Sequence, residues 1–114
     1  MTFQPDSSLE QEEVDEIVAG AIETNEVVLF MKGTELMPQC GYSQRALELI
    51  GNHRTEYETV DVLESLDEYR TALAEHSGWE TIPQTFVDGE FVGGSDVLAE
   101  LEDRGELAET LETS

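Results

Sequence analysis

Cysteine occurs once in the 114 residues, lysine once and arginine four times. A single thiol closes no disulfide within one chain, so neither a structural staple nor an intramolecular two-thiol redox cycle is available. Two histidines and one cysteine fall short of the four ligands of a structural zinc site. Five basic side chains against 27 acidic ones leave a net charge of -22. Such a surface repels phosphate backbones and anionic headgroups, which argues against nucleic-acid and membrane binding. No apolar run approaches the roughly 20 residues of a membrane span. Residues 1–11 carry no basic segment followed by an apolar one, so a soluble, cytoplasmic protein is expected.

Against these shortages, 39% of the residues are hydrophobic, enough for one modest core at a length typical of a single domain. The acids are therefore expected to coat a folded surface. They could make an acidic interaction module, or adapt the chain to concentrated intracellular salt, where self-repulsion is screened within about 3 Å at molar ionic strength. Their spread along the whole chain, with no acidic tail, favours the second reading and a halophilic source.

No repeat or low-complexity segment interrupts the chain. Residues 1–8 read as a flexible tail and 9–114 as one domain. Ser7 or Ser8 is a candidate cap for a first helix, in which Val14, Ile17, Val18, Ala21 and Ile22 recur at helical spacing. Asn25 ends it. The run VVLFM at Val27–Met31 has the continuous apolar character of a central strand covered on both faces. KGTELMPQ then forms a loop that delivers Cys40 to a second helix, with Tyr42, Ala46, Leu47 and Ile50 on one face. Alternation over residues 56–62 predicts a second strand. Leu66, Tyr69 and Leu73 mark a third helix that stops at Ser77 and Gly78. Two short strands, 85–87 and 90–92, flank Asp88-Gly89, a favoured hairpin pair. Ser95 is expected to cap a helix carrying Val97, Leu98 and Leu101, which Gly105 interrupts before a last turn around Leu107 and Leu111. A strand–helix–strand unit requires a crossover and a parallel pair, the hairpin adds antiparallel strands, and helices must cover both faces. The expected architecture is an α/β fold, a three-layer α/β/α sandwich.

Cys40 stands out by position. At a helix N-terminus the unpaired N–H groups and the helix dipole favour thiolate over thiol, and Lys32 lies in the loop leading to it, so a lowered pKa is expected. Gly41 lets another molecule's backbone or sulfur approach closely. A lone cysteine is commonly an inert buried residue, and this placement argues against that. Neither His53 nor His76 sits where a Cys–His hydrolase would need it, and both read as polar helix-end residues.

In order and spacing, VVLFM, KGTELMPQCGYS, Arg70 followed nine residues on by Trp79, and TIPQTFVDGEFVGGSD resemble the monothiol glutaredoxins of the Cys-Gly-Phe-Ser class. The similarity runs from the first helix to about Leu111. It implies a thioredoxin-like fold with a four-stranded mixed sheet in the order 2-1-3-4, the third strand antiparallel to the others. It further implies that Cys40 is the redox and iron-ligating thiolate, and that Gly41 and Tyr42 border the bound thiol. Lys32 and Arg70 would hold the glycyl carboxylate of glutathione or a related γ-glutamyl thiol, whereas Arg54 and Arg104 are assigned to the solvated surface. Ile82-Pro83 matches a cis-proline loop, where Thr81 and Ile82 would pair with the tripeptide backbone. Gly94, Ser95 and Asp96 would receive its γ-glutamyl end. Tyr42 stands where Phe is usual, and Glu35 and Glu80 replace prolines, which makes the site more negative.

A 2Fe-2S cluster usually takes four thiolates, and one chain supplies one. The family's arrangement adds a second chain and two small thiols, so the resemblance implies a homodimer bridged by a labile cluster, a monomer without it, and delivery to apo iron-sulfur proteins. The alternative is a glutathione-dependent thiol-disulfide oxidoreductase that works through a mixed disulfide at Cys40. A third reading, an acidic binding module with an idle cysteine, leaves the ordered motifs as coincidence.

Overall fold

The strand β1 (Val27–Met31) is buried at all five positions. Its pleat sends Val28 and Phe30 into one cluster and Val27, Leu29 and Met31 into another, which is why the run is apolar without alternation. The computed structural model describes residues 9–112; the tail expected over 1–8 and the candidate caps Ser7 and Ser8 lie outside them.

Before β1 comes α1 (Gln11–Thr24), whose N-cap is Glu10. Glu10 and Glu13 form a reciprocal capping box. After β1 come α2 (Gly41–Gly51), β2 (Glu58–Asp61), a 3₁₀ turn at Leu63–Ser65 and α3 (Leu66–Ser77). The chain continues through β3 (Gln84–Val87), β4 (Glu90–Gly93), α4 (Ser95–Asp103) and α5 (Leu107–Thr110). The sheet order is β2-β1-β3-β4. β2 runs parallel to β1, and β3 is antiparallel to both its neighbours. Asp88 and Gly89 turn the hairpin at φ 51° and 83°, the paired positive values that a tight two-residue turn demands.

Helices α1 and α3 pack together, and so do α2 and α4, one pair on each face of the sheet. Val14, Val18, Ile22, Tyr69 and Leu73 close the first core around Phe30 and Phe86, whose rings meet edge to face at 5.8 Å. Ala46, Ile50, Leu98, Leu107 and Leu111 close the second. The expected sandwich with a four-stranded mixed sheet is the observed fold.

Four local expectations need correction. Tyr42 is 63% exposed, since the buried stripe of α2 runs Ser43, Ala46, Ile50. Ile17 lies at the margin of its helix face, partly open to solvent. Ser95 is the first residue of α4, with Gly94 at the N-cap and no side-chain cap. Arg54, which the charge pattern suggests is a solvated surface residue, instead pins the C-terminal segment. It donates to the Leu111 carbonyl at 3.2 Å and to the Glu56 carbonyl, and it pairs with Glu26 at 3.0 Å.

Candidate functional site

Cys40 is the N-cap of α2, in extended conformation, and is half-buried. Its pKa is lowered from the ordinary thiol value. The Ser43 N–H contributes most, burial opposes it, and the Tyr42 N–H, the Ser43 hydroxyl and the Lys32 charge add smaller effects. The sulfur makes no formal capping hydrogen bond, so these groups act as oriented dipoles around a soft acceptor. The expected direction holds, with the helix terminus outweighing Lys32.

Ser43 is fully buried, and its Oγ accepts the Lys32 N–H at 3.0 Å. That bond joins the end of β1 to the first turn of α2. The intervening loop folds back on itself through a bridge between Gly33 and Pro38, and the Gln39 N–H donates to the Lys32 carbonyl at 2.9 Å. Asp61, at the end of β2, accepts the N–H groups of Gly33 and Leu63 at 3.0 Å each through one carboxylate oxygen. Gly33 has φ +96°, and a Cβ there would lie 2.5 Å from the Met37 carbonyl oxygen, so only glycine fits. The loop is thus closed by backbone pairing even with Glu35 in it.

Beside Tyr42 opens a groove of about 500 Å³. Thr81, Ile82 and Pro83 form one wall; Gly94, Ser95 and Asp96 form the other. Ile82-Pro83 is cis. The walls approach so closely that a Cβ on Gly94 would sit 3.0 Å from the Pro83 carbonyl oxygen. Trp79 and Val97 complete an apolar rim. A second cavity of similar size, about 540 Å³, lies between the end of α1 and the hairpin turn, at the opposite end of the sheet from Cys40. It is lined by Glu23, Thr24, Glu26, His76 and Asp88, and none of the residues singled out around Cys40 reaches it.

Seven of the residues singled out from sequence therefore share one groove: Tyr42, Thr81, Ile82, Pro83, Gly94, Ser95 and Asp96. Lys32 acts on Cys40, and Gly41 follows it on open surface, with nothing near where a Cβ would be. None of Lys32, Cys40, Gly41 and Arg70 lines the groove; Cys40 lies two residues before Tyr42, which does, and Arg70 stays on α3, 3.6 Å from Asp67. Sequence reasoning missed Ser43 and Asp61. Ser43 was within reach, because three residues after an N-cap is the position whose N–H faces the cap. Asp61 carries no local signal.

The fold and a lone activated cysteine beside a groove define a thioredoxin-like thiol protein. The family model for glutaredoxins matches residues 27–92. A monothiol glutaredoxin, ycf64, of Porphyra purpurea is 44% identical over 101 residues, covering 89% of this chain and 94% of its own. The mitochondrial monothiol glutaredoxin-5 of Saccharomyces cerevisiae is 43% identical, covering 88% and 68%. Among solved structures, reduced poplar apo GrxS14 superposes with TM-score 0.74 at 39% identity, over 86% of this chain and 89% of its own. A buckwheat glutaredoxin–glutathione complex gives 0.74 at 25%, over 89% of each. The chain belongs to the glutaredoxin family, among its monothiol members.

Proposed function

We propose that the protein binds a labile 2Fe-2S cluster together with a glutathione-like thiol, and carries it to apo iron-sulfur proteins. The supporting observation is one half-exposed thiolate, Cys40, two residues before Tyr42, which lines a groove large enough for a second thiol. Among the described residues no group of three or more His, Cys, Asp or Glu side chains could enclose a metal ion. A four-thiolate cargo therefore needs donors from outside the chain, which fits a homodimer in which each copy gives Cys40 and holds one small thiol. When bound, the cluster supplies exchangeable iron-thiolate bonds, half of them to free small molecules. The chain's own residues orient those thiols. Thr81 and Ile82 offer backbone edges, Gly94 and Ser95 offer N–H groups at the start of α4, Asp96 offers a carboxylate to an ammonium, and Lys32 and Arg70 offer charge to the glycyl carboxylate. The buckwheat relative is solved with glutathione, which supports this choice of thiol.

Anaerobic reconstitution with iron, sulfide and glutathione is expected to give a coloured dimer, read by visible absorption and sizing. Cys40→Ser is expected to give neither colour nor dimer. A colourless monomeric wild type would reject the cluster reading.

The lowered Cys40 pKa also favours a second activity. The Cys40 thiolate would attack the glutathionyl sulfur of a mixed disulfide and release the client thiol. A second glutathione would then displace the glutathionyl group, forming glutathione disulfide and restoring Cys40. Rapid turnover of a glutathionylated substrate without cluster binding would place this activity first. A reducing, salt-rich cytoplasm is the proposed setting. No helix among the described residues is long and apolar enough to cross a membrane, and the dispersed acidic surface suits molar salt.

A further inference from the structure

Gln84 follows Pro83 and is 1% exposed, yet its side chain acts on the loop outside. Its Nε2 donates to the Trp79 carbonyl at 2.8 Å and to the Thr81 carbonyl at 3.0 Å. Two carbonyl acceptors decide which end of the amide faces the loop, because only the NH₂ can donate. Oε1 is then turned inward, where it is buried without a partner among the described residues. An orphaned buried oxygen costs stability, and a Met of similar length would avoid that cost. The amide thus works against the core and for the loop. Trp79, Glu80 and Thr81 are exposed and in no regular element. Outside the sheet, residues 79–83 make no backbone–backbone hydrogen bond among the described residues.

We infer that Gln84 is a positioning residue for thiol capture: it holds the backbone at 79–81 so that Thr81, Ile82 and the Trp79 indole face the groove beside Cys40. The inference rests on the thiol-binding reading above and adds a residue that touches no ligand itself. The Ser77 hydroxyl also holds Trp79, accepting its N–H at 3.0 Å and donating to its carbonyl at 3.2 Å, so loss of the two Gln84 bonds would leave the Thr81 carbonyl to water, and the fold would persist while the loop loosened toward Thr81.

The test is the equilibrium of the full chain with glutathione disulfide. The Cys40 thiolate attacks one sulfur, the Cys40–glutathione bond forms as the original S–S bond breaks, and the departing glutathione thiolate takes up a proton. Cys40 is oxidised and one glutathione is reduced. In Gln84→Met, half-conversion is expected at a roughly tenfold higher ratio of glutathione disulfide to glutathione. Trp79, the chain's one tryptophan, should be quenched more readily by acrylamide, and the pH midpoint of the Cys40 thiolate absorbance should not move. Half-conversion at the wild-type ratio would overturn the inference. Gln84→Leu, which also donates nothing, serves if the Met variant does not fold; wild-type behaviour there would overturn it equally. Leu73→Val is a control that weakens the same core and is expected to leave half-conversion unchanged. A shift as large as that of Gln84→Met would reduce Gln84 to a packing role. A wild type that forms no adduct would instead defeat the thiol-binding reading, and the inference with it.

Discussion

The Lys32 N–H donates to the buried Ser43 hydroxyl at 3.0 Å, so the last residues of β1 and the first turn of α2 are held together across the loop that ends in Cys40. The oxygen that accepts this bond keeps its own hydrogen for the sulfur, and Ser43 also supplies the N–H that lowers the Cys40 pKa most. One residue therefore sets both the position of the thiolate and part of its stabilisation.

Ser43→Ala removes the acceptor of a part-buried N–H and should destabilise the fold by about 1–3 kcal/mol, measured by urea unfolding. It should also raise the Cys40 pKa, leaving the larger effect of the Ser43 backbone N–H in place. The sign for stability follows from linkage. Since folding lowers the Cys40 pKa, the thiolate stabilises the fold in full above the unfolded-state pKa, and that contribution is lost as pH falls through the folded-state value. Wild type should gain stability across that window relative to Cys40→Ser, and the gain should narrow in Ser43→Ala. An unchanged thiolate absorbance titration in the Ala variant would count against the hydroxyl's role.

Gly33→Ala should be among the more damaging single-methyl additions. The new carbon would lie 2.5 Å from the Met37 carbonyl oxygen and 2.6 Å from the Gln39 nitrogen, at a φ that side chains rarely adopt. Loss of roughly 1–3 kcal/mol is expected, with reduced reactivity of Cys40 toward iodoacetamide because the loop that places it must shift.

Three cations should separate by role. Lys32→Gln should weaken glutathione capture several-fold in the mixed-disulfide equilibrium, with little effect on unfolding. Arg104→Gln should change neither, because Arg104 pairs with Glu100 on the exposed face of α4. Arg54→Gln should lower the unfolding midpoint and leave capture intact, since it removes donors to Leu111 and Glu56 and the partner of Glu26. Equal loss of capture in Lys32→Gln and Arg104→Gln would show that charge acts at long range and not locally.

Salt should stabilise the protein. With a net charge of -22, self-repulsion is relieved as the screening length falls from about 10 Å at 0.1 M to about 3 Å at 1 M. The thermal midpoint in KCl should rise over that interval. A flat profile would remove the argument for a halophilic setting.

Much of the fold was legible because its signals are local. VVLFM reads as a doubly covered strand, Asp88-Gly89 as a hairpin turn, and Gly78 and Gly105 as breaks. The site was legible where short motifs carry it, around Cys40, Ile82-Pro83 and Gly94-Ser95-Asp96. Tyr42 was grouped on one face with Ala46 and Ile50, where Ser43 stands instead, because helical spacing alone does not say which of two adjacent stripes turns inward. Arg54 was misread because its partners, Glu26 and Leu111, are 28 and 57 residues away.

By itself, then, the sequence determined the number of thiols, the surplus of acid, the order of helices and strands, and the start of α2 at the cysteine. All of these depend on composition or on neighbours a few residues apart. Tertiary structure alone decided that Asp61 would close the Lys32 loop, that Ser43 would face inward and join β1 to α2, and that Gln84 would turn its amide toward Trp79 and Thr81. Each is a hydrogen bond whose geometry exists only once the sheet and helices have packed. A buried polar group takes whichever partner that packing brings within reach.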